Sequence, residues 1–190
     1  MCIRRSPKGA VVNGKIQDKG RVEQALAQLS RSSASRGKYV ATSVSGTDVV
    51  TRTITLPRDI DSDKELGDQV QAQSEQLIPF QNTSIALDYG ILGPNNSDSD
   101  QNDVLVTAAR GESVLDRSEV MAQCGYEVKV VDVGYYALAR AVMALVPKLN
   151  PDPSGANLPP TAAIVDFGAS ETDIVFRENG RITSTKSIPT

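Results

Sequence analysis

The chain has no histidine and no tryptophan, and only two cysteines among its 190 residues. Without histidine, a serine–histidine–acid triad is excluded and zinc chemistry loses its commonest ligand. Cys2 and Cys124 stand far apart with no metal-like spacing, so reduced thiols are expected rather than a disulfide. An excess of positive charge is also missing: Lys+Arg 20 against Asp+Glu 23 leaves a formal net charge of -3. That balance offers no sequence-independent attraction to nucleic-acid phosphates or to an anionic bilayer, so no nucleic acid partner is expected. Aromatic residues make up 4%, and Tyr39, Tyr89, Tyr126, Tyr135 and Tyr136 read as core or interface packing rather than stacking platforms for bases. No apolar run approaches the ~20 residues of a membrane-spanning helix, and the basic start MCIRRSPKG lacks the apolar centre of a signal peptide. A cytoplasmic protein without direct membrane insertion is the expectation.

What is present is an ordinary α/β pattern, with 39% hydrophobic and 23% charged residues. Asp18 can cap a helix carrying Val22, Leu26 and Leu29 at helical spacing, and Tyr39 to Val44 reads as a strand. After the turn cluster Ser45-Gly46-Thr47-Asp48, Val50, Arg52, Ile54 and Leu56 alternate with Thr51, Thr53 and Thr55 until Pro57 stops a second strand. Ser62-Asp63-Lys64-Glu65 is a capping box for a helix with Leu66, Val70 and Leu77 on its inward stripe. Its other stripe is rich in Gln and Asp. Strands over Ser84–Leu92 and Asp103–Ala109 follow, joined by a polar loop expected to be mobile. A helix over Ser113–Gln123, with Val114, Leu115 and Met121 inward, is stopped by Gly125. Next come a buried strand, Val128–Val133, and an apolar helix over Tyr135–Val146 that Pro147 should end. Lys148 to Pro160 reads as a linker, and Asn179-Gly180 marks a tight turn into Arg181–Ile188.

The densest chemistry lies in AIVDFGASETDIVF, Ala163 to Phe176, where two apolar strands flank an acidic, small-residue turn. Asp166 closes the first strand, and Gly168, Ala169 and Ser170 let backbone N–H groups approach an anion. Thr172 adds a hydroxyl, and Asp166 suits a Mg²⁺ held through water. A lone Asp-x-Gly is more often an ordinary capped hairpin, but the full pattern D-x-G-x-x-x-T-D between two strands is far more specific. Glu171 and Asp173 beside the turn read as solvated carboxylates.

Asp166 to Asp173 resembles the second phosphate-binding hairpin of the actin, sugar kinase and chaperone ATPase superfamily. Four further segments, GAVVNGKI from Gly9, TRTITLP from Thr51, EQLIPF from Glu75 and VVDV from Val130, resemble the PilM family of type IV pilus assembly. The likeness runs in order from Gly9 to Pro189. It implies an α/β fold with an α+β insert: part of an actin-like ATPase fold, similar to FtsA, with a strand-helix-strand-strand subdomain inserted and the second lobe truncated. The implied layout is 1–48 as a remnant of the first lobe, 49–126 as the insert, 127–147 as return strand and connecting helix, and 148–190 as linker and first hairpins of the second lobe.

The resemblance further implies ATP with Mg²⁺ in the complete protein, bound through Asp166, Gly168, Ala169, Ser170 and Thr172, with Asp166 on the metal side. Of the three parts that grip ATP in that superfamily only this hairpin is present, so no catalytic residue is assigned and hydrolysis by this chain alone is not expected. The family's glutamate after Val-Asp-Val is replaced by Gly134, and Asp132 reads as a structural cap for the helix that follows. The implied partner is the cytoplasmic tail of the inner-membrane protein PilN, which would hold the chain peripherally at the inner membrane. Gln69, Gln73, Gln76 and the edge of Thr51–Leu56 are the candidate surface, and other pilus assembly proteins and self-association are further expectations. The alternatives are an FtsA-like division or type II secretion adaptor, and an active Mg-ATP-dependent ATPase.

Overall fold

The computed structural model describes residues 6–33, 37–60, 62–80, 83–149, 161–168, 171–178 and 181–189. It is mixed α/β, and it divides into two compact units: one is 47–117, the other comprises 1–46 and 118–190.

The unit 47–117 starts in a 3-10 turn, Gly46–Asp48, whose first residue belongs to the other unit. Strand β4 (Val49–Pro57) follows, then helix α2 (Asp63–Leu77), β5 (Ile85–Pro94), β6 (Gln101–Arg110) and the start of α3 (Gly111–Gln123). Strands β1 (Val11–Val12), β2 (Lys15–Ile16) and β3 (Tyr39–Val44) and helix α1 (Lys19–Ser32) precede β4 in sequence and belong to the other unit. The antiparallel sheet has the order β4-β6-β5, with Ile54 opposite Val104 and Tyr89 opposite Val106. Ser62 caps α2 by accepting a hydrogen bond from the Glu65 N–H at 3.1 Å, as the capping box requires. Ile54, Leu56, Val70, Val104 and Val106 form the buried cluster, joined by Ile60, Leu66 and Tyr89. The opposite face carries Thr51, Thr53 and Thr55, so alternation along β4 separates core from polar side chains. Leu77 departs from the expected inward stripe: it is the last residue of α2 and is exposed, while Ser74, one turn after Val70, is buried. The polar loop after β5 is closed by its own groups. Asn95 Oδ1 accepts from the N–H of Ser97 at 2.8 Å and of Asp98 at 3.0 Å, and Asn95 Nδ2 donates to Asp103.

In the other unit, β1 (Val11–Val12) and β2 (Lys15–Ile16) form a small hairpin whose turn residues, Asn13 and Gly14, both have positive φ. Helix α1 (Lys19–Ser32) is capped by Asp18, whose side chain accepts from the Arg21 N–H at 3.0 Å. Strand β3 (Tyr39–Val44) pairs in parallel with β7 (Glu127–Val133). Helix α3 ends on Gly125 at φ 82°, with the Tyr126 N–H donating to Met121 O at 3.0 Å and the Gly125 N–H to Ala122 O at 2.9 Å. This double closure is the Schellman arrangement that a glycine at that position favours. Val120 is buried on this helix, as are Gly111 and Ser113 in its first turn, whereas Leu115, expected inward, is 57% exposed.

Helix α4 (Gly134–Leu149) packs against β7 and β3. It runs through Pro147 rather than ending before it, for two residues only and without the hydrogen bond that an N–H at 147 would donate one turn back. Strands β8 (Thr161–Phe167), β9 (Glu171–Glu178) and β10 (Arg181–Pro189) form an antiparallel sheet in the order β10-β9-β8. Of the expected linker Lys148–Pro160, the first two residues belong to α4, while 150–160 and the Asn179-Gly180 turn lie outside the described residues.

Candidate functional site

The β8–β9 pairing fixes what the Asp-x-Gly hairpin can present. Phe167 lies opposite Thr172, and Asp166 opposite Asp173, so the two aspartates share one face at the tip of the hairpin. Like charges in direct register repel. Two features relieve this: Asp166 is exposed to water, and the Ser187 hydroxyl on β10 donates to Asp173 Oδ1. The same face continues inward to Val175, which is fully buried.

Gly168 is exposed directly after β8, while Ala169 and Ser170 lie outside the described residues. Thr172 is 8% exposed, and the two-residue alternation of β9 puts it on the face away from Asp166. On that second face Val165, Phe167, Phe176 and Ile188 are all exposed, Phe167 to 83%. The chemistry open to the tip is therefore a carboxylate pair able to face a cation, beside a glycine that lets backbone approach a ligand. Among the described residues no three acidic or cysteine side chains converge on one point.

Asp132 is tied down. Its Oδ1 accepts from the Val133 N–H at 2.7 Å, and its Oδ2 is paired with Arg140 of α4. The tie to the helix thus runs through an arginine two turns on, not through the first helical N–H groups, as a cap would. Gly134 opens α4 where the Ser45 backbone passes closely: a Cβ on it would stand 3.2 Å from Ser45 Cβ and 3.6 Å from Val44 O. A glutamate there would have to displace that contact. On the candidate partner surface, β4 lies at the edge of its sheet, Gln73 and Gln76 are exposed on α2, and Gln69 is half-buried.

One polar cluster was not anticipated from sequence. Asp48, assigned only to a turn, is 3% exposed, and its Oδ2 accepts from the Ser113 hydroxyl at 2.5 Å. Its Oδ1 lies 3.5 Å from Arg110 Nε, an ion-pair rather than hydrogen-bond separation. The Arg110 guanidinium also stacks 4.7 Å from the centre of the buried Phe80 ring. Burial lowers the Arg117 pKa from its ordinary value, opposed by the charges of Asp48 and Asp116, and its Nη1 donates to Ser113 O at 2.7 Å. The only sequence signal was an aspartate directly before the apolar start of β4, and that pattern also fits a solvated turn.

The sequence matches the type IV pilus assembly protein PilM family over residues 1–187. Among solved structures, a chain of a PilM-PilN type IV pilus biogenesis complex superposes with a TM-score of 0.78 at 26% sequence identity. That match covers 98% of this chain and 53% of the other, so the chain spans about half the length of that relative. The cytoplasmic domain of EpsL, an inner membrane component of the type II secretion system of Vibrio cholerae, matches with a TM-score of 0.52 at 12% identity. It covers 88% of this chain and 56% of that one, a likeness of fold alone. The expected fold class is thus what is found, part of an actin-like ATPase fold. The chain belongs to the type IV pilus assembly protein PilM family.

Proposed function

We propose that this chain acts in type IV pilus assembly as an actin-like adaptor that receives the cytoplasmic tail of a PilN-type inner-membrane protein and is held at the inner membrane by it. The observation that carries the reading is the likeness, over 98% of the chain, to a protein solved in a PilM-PilN complex. Physical features favour it. Strand β4 is an edge strand, and a peptide added along an edge gains main-chain hydrogen bonds while pockets read its side chains. Among the described residues no helix is long and apolar enough to cross a membrane, and peptide capture provides a tether that needs none.

The test is calorimetric titration of the folded chain with a synthetic PilN-type tail. Saturable one-to-one binding is expected, and no heat from a sample with a native circular dichroism spectrum would overturn the reading.

ATP with Mg²⁺ at the Asp166 hairpin is the second element of the reading. Exposed Asp166, with Asp173 opposite, fits a hydrated divalent ion, and Gly168 fits close approach of a phosphate. Ala169 and Ser170 complete that turn in sequence; Thr172 lies on the other face and is nearly buried. When bound, the nucleotide would supply a phosphate–metal charge cluster on which a second lobe can close. Asp166→Ala is expected to weaken Mg·ATP binding, and equal affinity in variant and parent, or none in either, would remove the hairpin from the reading.

A further inference from the structure

The chain enters the 47–117 unit at Thr47 and leaves it at Arg117. Asp48 is the second residue in; Arg110, Ser113 and Arg117 are among the last eight residues before the exit. Both crossings therefore converge on one buried carboxylate. Its Oδ2 holds the Ser113 hydroxyl at 2.5 Å and its Oδ1 faces Arg110 Nε at 3.5 Å. The surrounding contacts brace the same spot: Arg110 over Phe80, Arg117 on Ser113 O, and the Gly111 N–H on Ser84 O at 2.8 Å.

A buried carboxylate is costly unless its partners are in place, so the arrangement is either closed or expensive. The hydrophobic cluster of the unit, Ile54, Leu56, Val70, Val104 and Val106, contains no residue of the base itself. The charge network is thus a fastening separate from the core, located where the chain passes between units.

We propose that Asp48 is the clasp of the 47–117 unit: by joining the entering and leaving segments it makes this unit open and close cooperatively, independently of the rest of the chain. While the clasp is closed, fraying at the entry of β4 cannot proceed without also releasing the end of β6 and the first turn of α3. With the clasp gone, the base frays first, and opening of the unit becomes easier than global unfolding.

The experiment is hydrogen–deuterium exchange of the full chain read by peptide mass spectrometry, comparing the parent with Asp48→Asn, Ser113→Ala and the double variant. Asp48→Asn keeps the shape and removes the charge that Arg110 faces. The expected result is exchange faster by about ten- to a hundredfold in peptides covering β4, the end of β6 and the start of α3, with the β3–β7 and β8–β10 peptides unchanged. Ser113→Ala should show a smaller acceleration over the same peptides, and the double variant should show less than the product of the two single effects. Equal acceleration in every peptide would mean that the two units unfold together, and no acceleration in any variant would mean that the contacts are incidental; either overturns the proposal. If Asp48→Asn fails to fold, Ser113→Ala alone decides, by whether its acceleration is confined to the base and body of the unit.

Discussion

Replacing Gly111 by alanine should destabilise the 47–117 unit, although helix propensity argues for the opposite sign. Gly111 is the first residue of α3, where alanine is favoured over glycine by up to about 1 kcal/mol. Against this stands the neighbour. A Cβ on Gly111 would lie 2.3 Å from Ser84 Oγ, 3.0 Å from Ser84 O and 3.1 Å from Ser84 Cβ. The hydroxyl can rotate away. The carbonyl cannot easily do so, because it accepts the Gly111 N–H at 2.8 Å and directly precedes β5. Overpacking of this kind costs about 1–3 kcal/mol, and losing the hydrogen bond adds about 1 kcal/mol. The net expectation is a loss of about 1–3 kcal/mol after the propensity gain. Gly67→Ala is the matched control: it lies inside α2, and its Cβ would meet only Tyr89 Oη at 3.4 Å, an ordinary contact. There alanine should stabilise by roughly 0.5–1 kcal/mol. Urea denaturation followed by far-ultraviolet circular dichroism reads both variants against the parent. Midpoints moving in opposite directions support the packing argument; a higher midpoint for Gly111→Ala would refute it.

Two further outcomes follow from burial and charge. Leu56→Ala empties a fully buried position between the sheet and α2 and should cost about 2–5 kcal/mol, seen as a lower urea midpoint with local loss of exchange protection in β4 and α2. At Cys124, burial first and then the Glu23 charge raise the thiol pKa, so at any given pH less of it is thiolate. Alkylation by iodoacetamide, followed by mass spectrometry of the Cys124 peptide, should show a rate-against-pH midpoint above that of a free thiol; a midpoint below it would contradict the structure.

What could be read from sequence was the local grammar. Asp18, the Ser62–Glu65 box and Gly125 act within a few residues of where they sit, so their helix ends fell where expected. Pro57 ends β4 for the same reason. The failures are tertiary. Leu115 and Val120 sit on different sides of α3, and only the neighbouring elements decide which side is inward. Pro147 punctuates a chain in isolation but not a helix already nucleated over three turns. Asp48 looked like a turn residue because its partners, Arg110, Ser113 and Arg117, lie more than sixty positions later. No local pattern announces a contact at that separation.

The candidate hairpin shows the same division in miniature, with consequences for its chemistry. Its two strands were legible as apolar runs, but the register was not, and register decides which side chains can act together. Asp166 and Asp173 meet across the ladder, a pairing that sequence spacing alone does not give, because it depends on the residues that make the turn. Thr172 moves the other way: adjacent to Asp173 in sequence, it faces the opposite side of the sheet. Its 8% exposure leaves its hydroxyl little to offer a ligand. The register thus sets Asp173, and not Thr172, on the same face as Asp166, so the Mg²⁺ expected at Asp166 would meet a second carboxylate there. Repulsion between the two carboxylates is lowest when a positive charge lies between them, so an occupied tip should be more stable than a bare one. Ser187 already satisfies part of Asp173 from β10, which leaves Asp166, the more exposed of the two, as the group with most to gain from such an ion.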